Sequence, residues 1–355
     1  MKVAEFRSFL GLADLAALEP GEPRLTFSPG PLIYVHYQGM HCSGVTRDKR
    51  GVISIDDLTA HTSVSVKTLM GSLSLFADNA DVSVRCTDAN LILTSPGRRA
   101  SLRISTGEAY RTKASQTAQT RLAIAADDLQ AALRFLVPIT SSKLGSPILT
   151  GVNMSIVDGC LSLLATDGAR VGKVDLKAVV KITDNAAITA PAIDMQEALN
   201  ALSGDIQLML SANQVELVDQ QTYVRVGTLS GSFPDLARLP TVDLYKIAVT
   251  LDSDAVTPVA KAAALLGDAH IVTLTVKDKR VALRVESQEL GSFILAAGDN
   301  VADDTSVSFD SDYLDLASKL SGPLTVRIQD RLSPVLIESA NDWLYWLAPV
   351  SKIVD

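Results

Sequence analysis

Hydrophobic and polar positions along this chain follow one arrangement that recurs. A run alternating with period two leads to an Asp or Ser suited to an N-cap, then to a short apolar stripe with helical spacing, then to two or three further alternating runs. Copies start at 121–124 (helix 129–137, strands 148–156, 160–165 and 170–176) and at 187–189 (helix 195–202, strands 206–210, 214–218 and 223–229). They start again at 246–251 (helix 255–266, strands 271–276, 281–285 and 292–296) and at 305–309 (helix 313–320, strands 324–328, 335–339 and 343–347). A fifth copy spans 63–104, with its helix at 67–76. Residues 1–50 should hold an opening copy, but Gly21, Pro23, Pro29, Gly30 and Pro31 interrupt the pattern and only 32–37 reads cleanly as strand.

One such unit cannot bury both its helix and its sheet face, so two packed back to back make a core. Two units amount to roughly 120 residues, an ordinary domain size. The chain therefore divides into three similar α+β domains, 1–118, 119–240 and 241–355, each built of two βαβββ units, with the first the most divergent.

Composition narrows the function. With 47% apolar and 20% charged residues the chain buries substantial cores and is not disordered. It contains no apolar run long enough to span a bilayer, and Lys2, Glu5 and Arg7 break up the first ten residues, so a cytoplasmic protein without a membrane partner is expected. Cys42, Cys86 and Cys160 are odd in number and widely spaced, which fits reduced thiols. The net charge of −8 is uneven: +2 in 1–118, −3 in 119–240 and −7 in 241–355.

Catalytic chemistry is not predicted. The four histidines, His36, His41, His61 and His270, lack metal-site spacing, and no nucleophile elbow, phosphate loop, HExxH or dinucleotide motif occurs. The Asp residues ahead of the helices read as N-caps rather than as acid–base pairs. No metal or other cofactor is expected.

Three local sequences carry a family resemblance. Pro147-Ile148-Leu149-Thr150-Gly151-Val152, followed by Ala165-Thr166-Asp167-Gly168-Ala169-Arg170-Val171, is similar to the P-x-L-x-G segment and A-T-D-G-H-R-L turn of the bacterial and phage β-type DNA sliding clamps. Ser230-Gly231-Ser232-Phe233-Pro234-Asp235, with Leu239-Pro240, resembles that family's G-x-F-P-D-Y linker. Ser333-Pro334-Val335-Leu336-Ile337-Glu338 and Tyr345-Trp346-Leu347-Ala348-Pro349 resemble its S-P-x-x-I and terminal segments. Ala169 stands where the family has His, and six residues, 350–355, follow Pro349.

The resemblance implies a non-enzymatic processivity factor: a homodimeric ring of six domains, sheets outside and helices inside, encircling double-stranded DNA without sequence preference. Replicative polymerase, clamp loader and repair proteins would dock by linear motifs into an apolar pocket. Carried over motif by motif, that pocket comprises Leu149, Thr166, Gly168, Arg170, Val171, Pro234, Leu239, Pro334, Trp346, Ala348 and Pro349. For Trp346 core packing competes with this role, and for Arg170 a structural salt bridge with Asp167 does. The dimer interface would join Arg98, Arg99 and Arg103 of one protomer to Leu265, Leu266, Asp303 and Asp304 of the other, oppositely charged partners in two identical contacts. Lys67, Arg134, Lys143, Lys261 and Lys319, on or beside the repeat helices, are the candidates for non-directional phosphate contact in the channel. The alternative is a clamp-like structural or interaction protein that keeps the ring but not the replicative role; a helix face without net positive charge would favour it.

Overall fold

The computed structural model describes residues 1–10, 24–29, 34–38, 42–47, 54–106, 120–142, 145–182, 187–236, 239–251, 253–266, 271–287, 289–299, 303–317, 320 and 322–350. Contacts divide the chain into two compact units: 1–131 with 155–160 and 177–229, and 132–154 with 161–176 and 230–355. This is a division by contact, and it does not coincide with the division by repeat at 118 and 240.

In the first unit one sheet runs, in spatial order, through Val179–Ile182, Thr120–Ala125, Asp205–Ser211, Gln214–Val218, Thr222–Gly227, Cys42–Arg47, Tyr34–Gln38, Arg24–Ser28, Thr62–Ser65 and Ser105–Thr106. Its neighbours are antiparallel, and Thr222 to Val226 pairs against Thr46 to Cys42, so the opening repeat and the second-domain strands share one ladder. A three-stranded sheet, Ser83–Cys86, Asn90–Ser95 and Arg98–Arg103, lies in the same unit. Leu25, Phe27, Leu69 and Leu73 are buried, and the rings of Phe6 and Phe27 stack with centroids 6.3 Å apart. Glu216 is fully buried; it accepts from the Tyr223 hydroxyl and from Gln214 Nε2 (3.0 Å), with Arg225 3.6 Å away. That satisfies the rule that a buried carboxylate needs partners.

In the second unit Cys160–Thr166, Arg170–Lys177, Leu344–Leu347, Val335–Glu338, Leu324–Ile328 and Ile247–Leu251 lie side by side in that order. Separately, Gly291–Asp299, Arg280–Ser287, Ile271–Lys277 and Thr305–Asp310 form a four-stranded sheet. The helix Ser253–Leu265 lies against the helix Ser311–Ala317 and against three of those strands.

Most predicted strands are present within a residue or two. The helices, however, begin two or three residues before their apolar stripes: Ala126–Leu136, Ala192–Asn200, Ser253–Leu265 and Ser311–Ala317. Their opening turns are polar or small apart from the exposed Ile193, so periodicity does not register them. The N-cap reading of the acids needs correction accordingly. Asp127, Asp128, Asp194 and Asp312 lie inside first turns, where the positive end of the helix dipole favours them, and not at the caps. Capping falls to Ser65, whose side chain accepts from the Thr68 amide, and to Asp310, which accepts from the Asp312 amide at 2.9 Å.

The opening repeat also contains more than 32–37 suggested. A helix at Val3–Phe9 buries Val3, Phe6 and Phe9 and is tied to the chain by the Lys2–Asp81 and Arg7–Asp78 ion pairs, at 2.8 and 2.9 Å. Strands at Arg24–Ser28 and Cys42–Arg47 flank Tyr34–Gln38.

Gly172 is the tightest backbone approach in the second unit. A Cβ there would sit 2.3 Å from Ile139 Cδ1 and 2.9 Å from Leu136 Cδ2, so only a hydrogen lets the strand pass beneath the end of the helix Ala126–Leu136. Gly172→Ala is expected to cost about 1–3 kcal/mol through overpacking. Urea unfolding should show a lower midpoint at unchanged slope, and an unaltered midpoint would refute the close approach.

Candidate functional site

The site grows from the turn 166–170. Gly168 adopts φ +97°, a conformation that side chains with a Cβ rarely take. Around it the polar groups close on one another. Thr166 Oγ1 donates to the Arg170 carbonyl (2.7 Å) and accepts from the Gly168 amide (3.1 Å). Asp167 Oδ1 accepts from the amides of Ala169 and Arg170, both at 3.0 Å, and its Oδ2 accepts from Arg170 Nε at 2.8 Å. Asp167 therefore acts as an Asx-type brace and an ion-pair partner together.

Arg170 extends the brace outward. Its terminal nitrogen donates to the Pro138 carbonyl at 2.7 Å, and its guanidinium lies over the Tyr313 ring, 4.8 Å from the centroid. Burial works against its charge, but Tyr345 and Asp167 outweigh that and raise the guanidinium's proton affinity further. The salt bridge weighed for Arg170 is thus present, with both side chains less than a fifth exposed.

The strand Leu344–Leu347 pairs antiparallel with the strand that leaves this turn, setting Val171 opposite Trp346 and Arg170 opposite Leu347. The Ala348 amide continues the contact to the Ala169 carbonyl at 2.8 Å. Val171, Tyr245, Leu336 and Trp346 form a buried apolar cluster, with partly buried Leu236, Leu239, Val242 and Leu344 packed against it. Trp346 is 8% exposed, so its side chain is the packed floor of this site. Its buried Nε1 interacts electrostatically with the Tyr245 hydroxyl without meeting hydrogen-bond geometry. The Tyr245 hydroxyl donates to the Pro334 carbonyl at 3.0 Å. Below Pro334, Asp330 accepts from the amides of Leu332 (2.8 Å) and Ser333 (2.7 Å), and this loop holds Leu332 77% exposed.

Of the carried-over pocket residues, Val171, Leu239 and Trp346 meet in the cluster, while Thr166, Gly168, Arg170, Pro334 and Ala348 attach to it through the hydrogen bonds given above. Pro349 follows directly, half-buried, and the Val350 amide donates to the Ser308 carbonyl at 2.7 Å. Leu149 and Pro234 lie outside the cluster. Leu149 is half-buried in the 3-10 turn Pro147–Thr150, where a strand was expected; Pro147, lacking an N–H, starts that turn instead. Pro234 is exposed. Tyr245, Leu336, Leu236, Val242, Leu344 and Tyr313 were not predicted. For Leu236, Val242 and Tyr245 the sequence signal is their three-residue apolar spacing through Leu239.

The remaining predicted residues fall in two groups. Arg98, Arg99 and Arg103 are exposed on Arg98–Arg103, an outermost strand of its sheet, with Arg98 donating to the Leu75 carbonyl. Leu265 is 82% exposed, Leu266 half-exposed, and Asp303 and Asp304 are exposed, Asp304 accepting from the Asp278 amide. Lys67, Arg134 and Lys261 are exposed on helices. Lys143, Lys319 and residues 351–355 lie outside the described residues. No cluster of metal-ligating side chains occurs among the described residues, and no helix is long and apolar enough to cross a membrane.

Comparisons with known proteins agree with this geometry. Residues 137–235 match the family described as DNA polymerase III beta subunit, central domain. The chain is 22% identical over 211 residues to a protein of Chlamydia trachomatis named Beta sliding clamp, covering 57% of this chain and 50% of the relative. A Staphylococcus aureus protein of the same name is 26% identical over 206 residues, 55% and 54% of the two chains. The chain spans about half the length of the curated relatives it matches. Among solved structures, the Caulobacter crescentus beta sliding clamp superposes with a TM-score of 0.84 at 18% identity, covering 99% of this chain and 98% of that one. The DNA polymerase sliding clamp of Pseudomonas aeruginosa gives 0.83 at 16%, with the same coverage. The chain thus has the β sliding-clamp fold, and its residues 137–235 are similar to the beta-subunit central domain.

Burial pushes the Tyr245 hydroxyl up to about 12, against a smaller opposing pull from the Trp346 indole. Because the folded value lies above the unfolded one, the neutral phenol's contribution is fully present below pH ~10 and is lost as pH climbs to about 12. Tyr245→Phe should therefore flatten the fall in stability over that window, measured by urea unfolding at several alkaline pH values. It should also lose about 1 kcal/mol at neutral pH with the Pro334 bond. An unchanged alkaline limb would contradict the assignment.

Proposed function

We propose that this chain is a DNA sliding clamp: a non-catalytic subunit that closes with a second copy into a ring around duplex DNA and tethers polymerase and other partners to it. Its three repeats, 1–118, 119–240 and 241–355, act as the domains of that ring. The observation that carries the reading is the meeting of the Thr166–Arg170 turn, Leu239 and the Trp346–Pro349 stretch around one apolar cluster. Separate parts of the sequence have no packing reason to carry the clamp motifs individually. Together they build a surface with an aromatic floor, aliphatic walls and a few fixed polar groups, suited to anchoring a short linear peptide by its Leu or Phe side chains.

The Caulobacter and Pseudomonas proteins are named sliding clamps, and a Pseudomonas clamp has been solved bound to griselimycin. This supports ligand binding on the fold. Homodimerisation is supported by the exposed arginines of Arg98–Arg103 and the exposed Leu265, Asp303 and Asp304, which suit complementary contacts in a two-fold pair. A clamp-like interaction protein without a replicative role is the second reading, favoured by helices in which carboxylates outnumber cations, Asp127 and Asp128 against Arg134 and Asp194 and Glu197 against none.

Light scattering should give the mass of a dimer. On plasmid DNA, the protein should be retained on nicked circles and lost once they are linearised; a monomer, or retention indifferent to free ends, overturns the ring. For the partner site, a fluorescein-labelled hexapeptide ending in Leu-Phe should bind, and Leu239→Asp should weaken it at least tenfold, since a charge at the apolar wall removes a buried anchor contact. Equal binding by both proteins would move the site elsewhere.

A further inference from the structure

Trp346 carries a polar atom that the packing around it leaves unmet. The residue is 8% exposed, and its Nε1 is buried without a hydrogen-bond acceptor. Val171, Leu336, Leu239 and Leu344, which pack with it in the cluster, have no acceptor on their side chains. Tyr245 is the exception, but its hydroxyl proton goes to the Pro334 carbonyl at 3.0 Å, and the indole N–H lies near that oxygen without bonding geometry. Antiparallel ladders on both sides, to Val171 and to Leu336, fix the Trp346 backbone, so this donor stays at the apolar cluster.

A hydrogen bond formed on binding ordinarily replaces one to water, and the net gain is small. A donor already dry in the free protein gives up no water, so the acceptor that meets it contributes far more, and a ligand without that acceptor leaves it unmet. We propose that the Trp346 indole N–H is a specificity determinant of the peptide site, donating to one main-chain carbonyl of a bound extended peptide. Side chains that suit the aliphatic rim have no acceptor, so the peptide backbone supplies it. Nε1 is covered in the free protein, and the contact forms as the Tyr245 side chain yields its bond to Pro334. This rests on the peptide-site reading above but is not required by it, because an apolar surface without a donor would also hold Leu and Phe side chains.

The test uses the fluorescein-labelled hexapeptide ending in Leu-Phe, together with a set in which each internal amide in turn becomes an (E)-alkene, which keeps the shape and removes the carbonyl. Affinities for the full chain and for Trp346→Phe, which keeps an aromatic floor without the N–H, are read by fluorescence anisotropy. One alkene peptide should bind the unaltered chain at least tenfold more weakly than the parent and lose no more than about twofold on Trp346→Phe. If no replacement separates the two proteins in this way, the proposal falls while the peptide site stands. If the parent peptide binds neither protein, the peptide-site reading falls and takes the proposal with it. A second measurement needs no altered Trp346. The chain has two tryptophans and so two indole N–H signals in a 15N-labelled sample, assigned with Trp343→Phe. The Trp346 signal should move with the parent peptide and move differently with the weakened alkene peptide; identical spectra with both overturn the proposal.

Discussion

The antiparallel pairing of Leu344–Leu347 with Arg170–Lys177 is the constraint on which the candidate site depends. Strands far apart in sequence become neighbours in one sheet, and their register decides which side chains meet. Val171 stands opposite Trp346 in that register, on the face where Tyr245 and Leu336 complete the cluster. A slip of one residue would turn Trp346 to the opposite face, since side chains alternate along a strand. The Ala348 amide bound to the Ala169 carbonyl extends the register past the strand's end and carries Pro349 to the edge of the same surface.

The turn beside that register is held mostly by its own polar groups. Asp167 serves two amides and a guanidinium, and Arg170 reaches from Asp167 to Pro138 and across Tyr313. Such charge-assisted bonds in a half-buried setting fix geometry more firmly than an exposed ion pair would. The apolar cluster can then remain a shallow surface of half-buried aliphatic residues, because its position does not depend on closing over itself. Gly172 adds the last geometric condition by letting this strand pass close under Leu136 and Ile139.

Charge is distributed differently from the apolar surface. Acids concentrate in the last third of the sequence and in the first turns of helices, where the helix dipole accommodates them.

Period-two and helical spacing in the sequence were enough to determine the repeat, the approximate place of most strands and helices, and the turn and terminal motifs. Those signals depend only on which face of a local element is apolar. Helix starts were displaced because their first turns are polar. The helix Val3–Phe9 was missed although Val3, Phe6, Phe9 and Leu10 have helical spacing, because it stands ahead of the first strand whereas the repeat opens on a strand. Motif residues such as Gly168, Arg170 and Trp346 were legible because a turn or an aromatic anchor restricts residue type. Tyr245, Leu336, Leu344 and Tyr313 were not, for each is an ordinary apolar or aromatic position within its own element. Only the tertiary structure decided that they border the site, because cross-strand register and the reach of Arg170 over Tyr313 join residues that no local spacing relates.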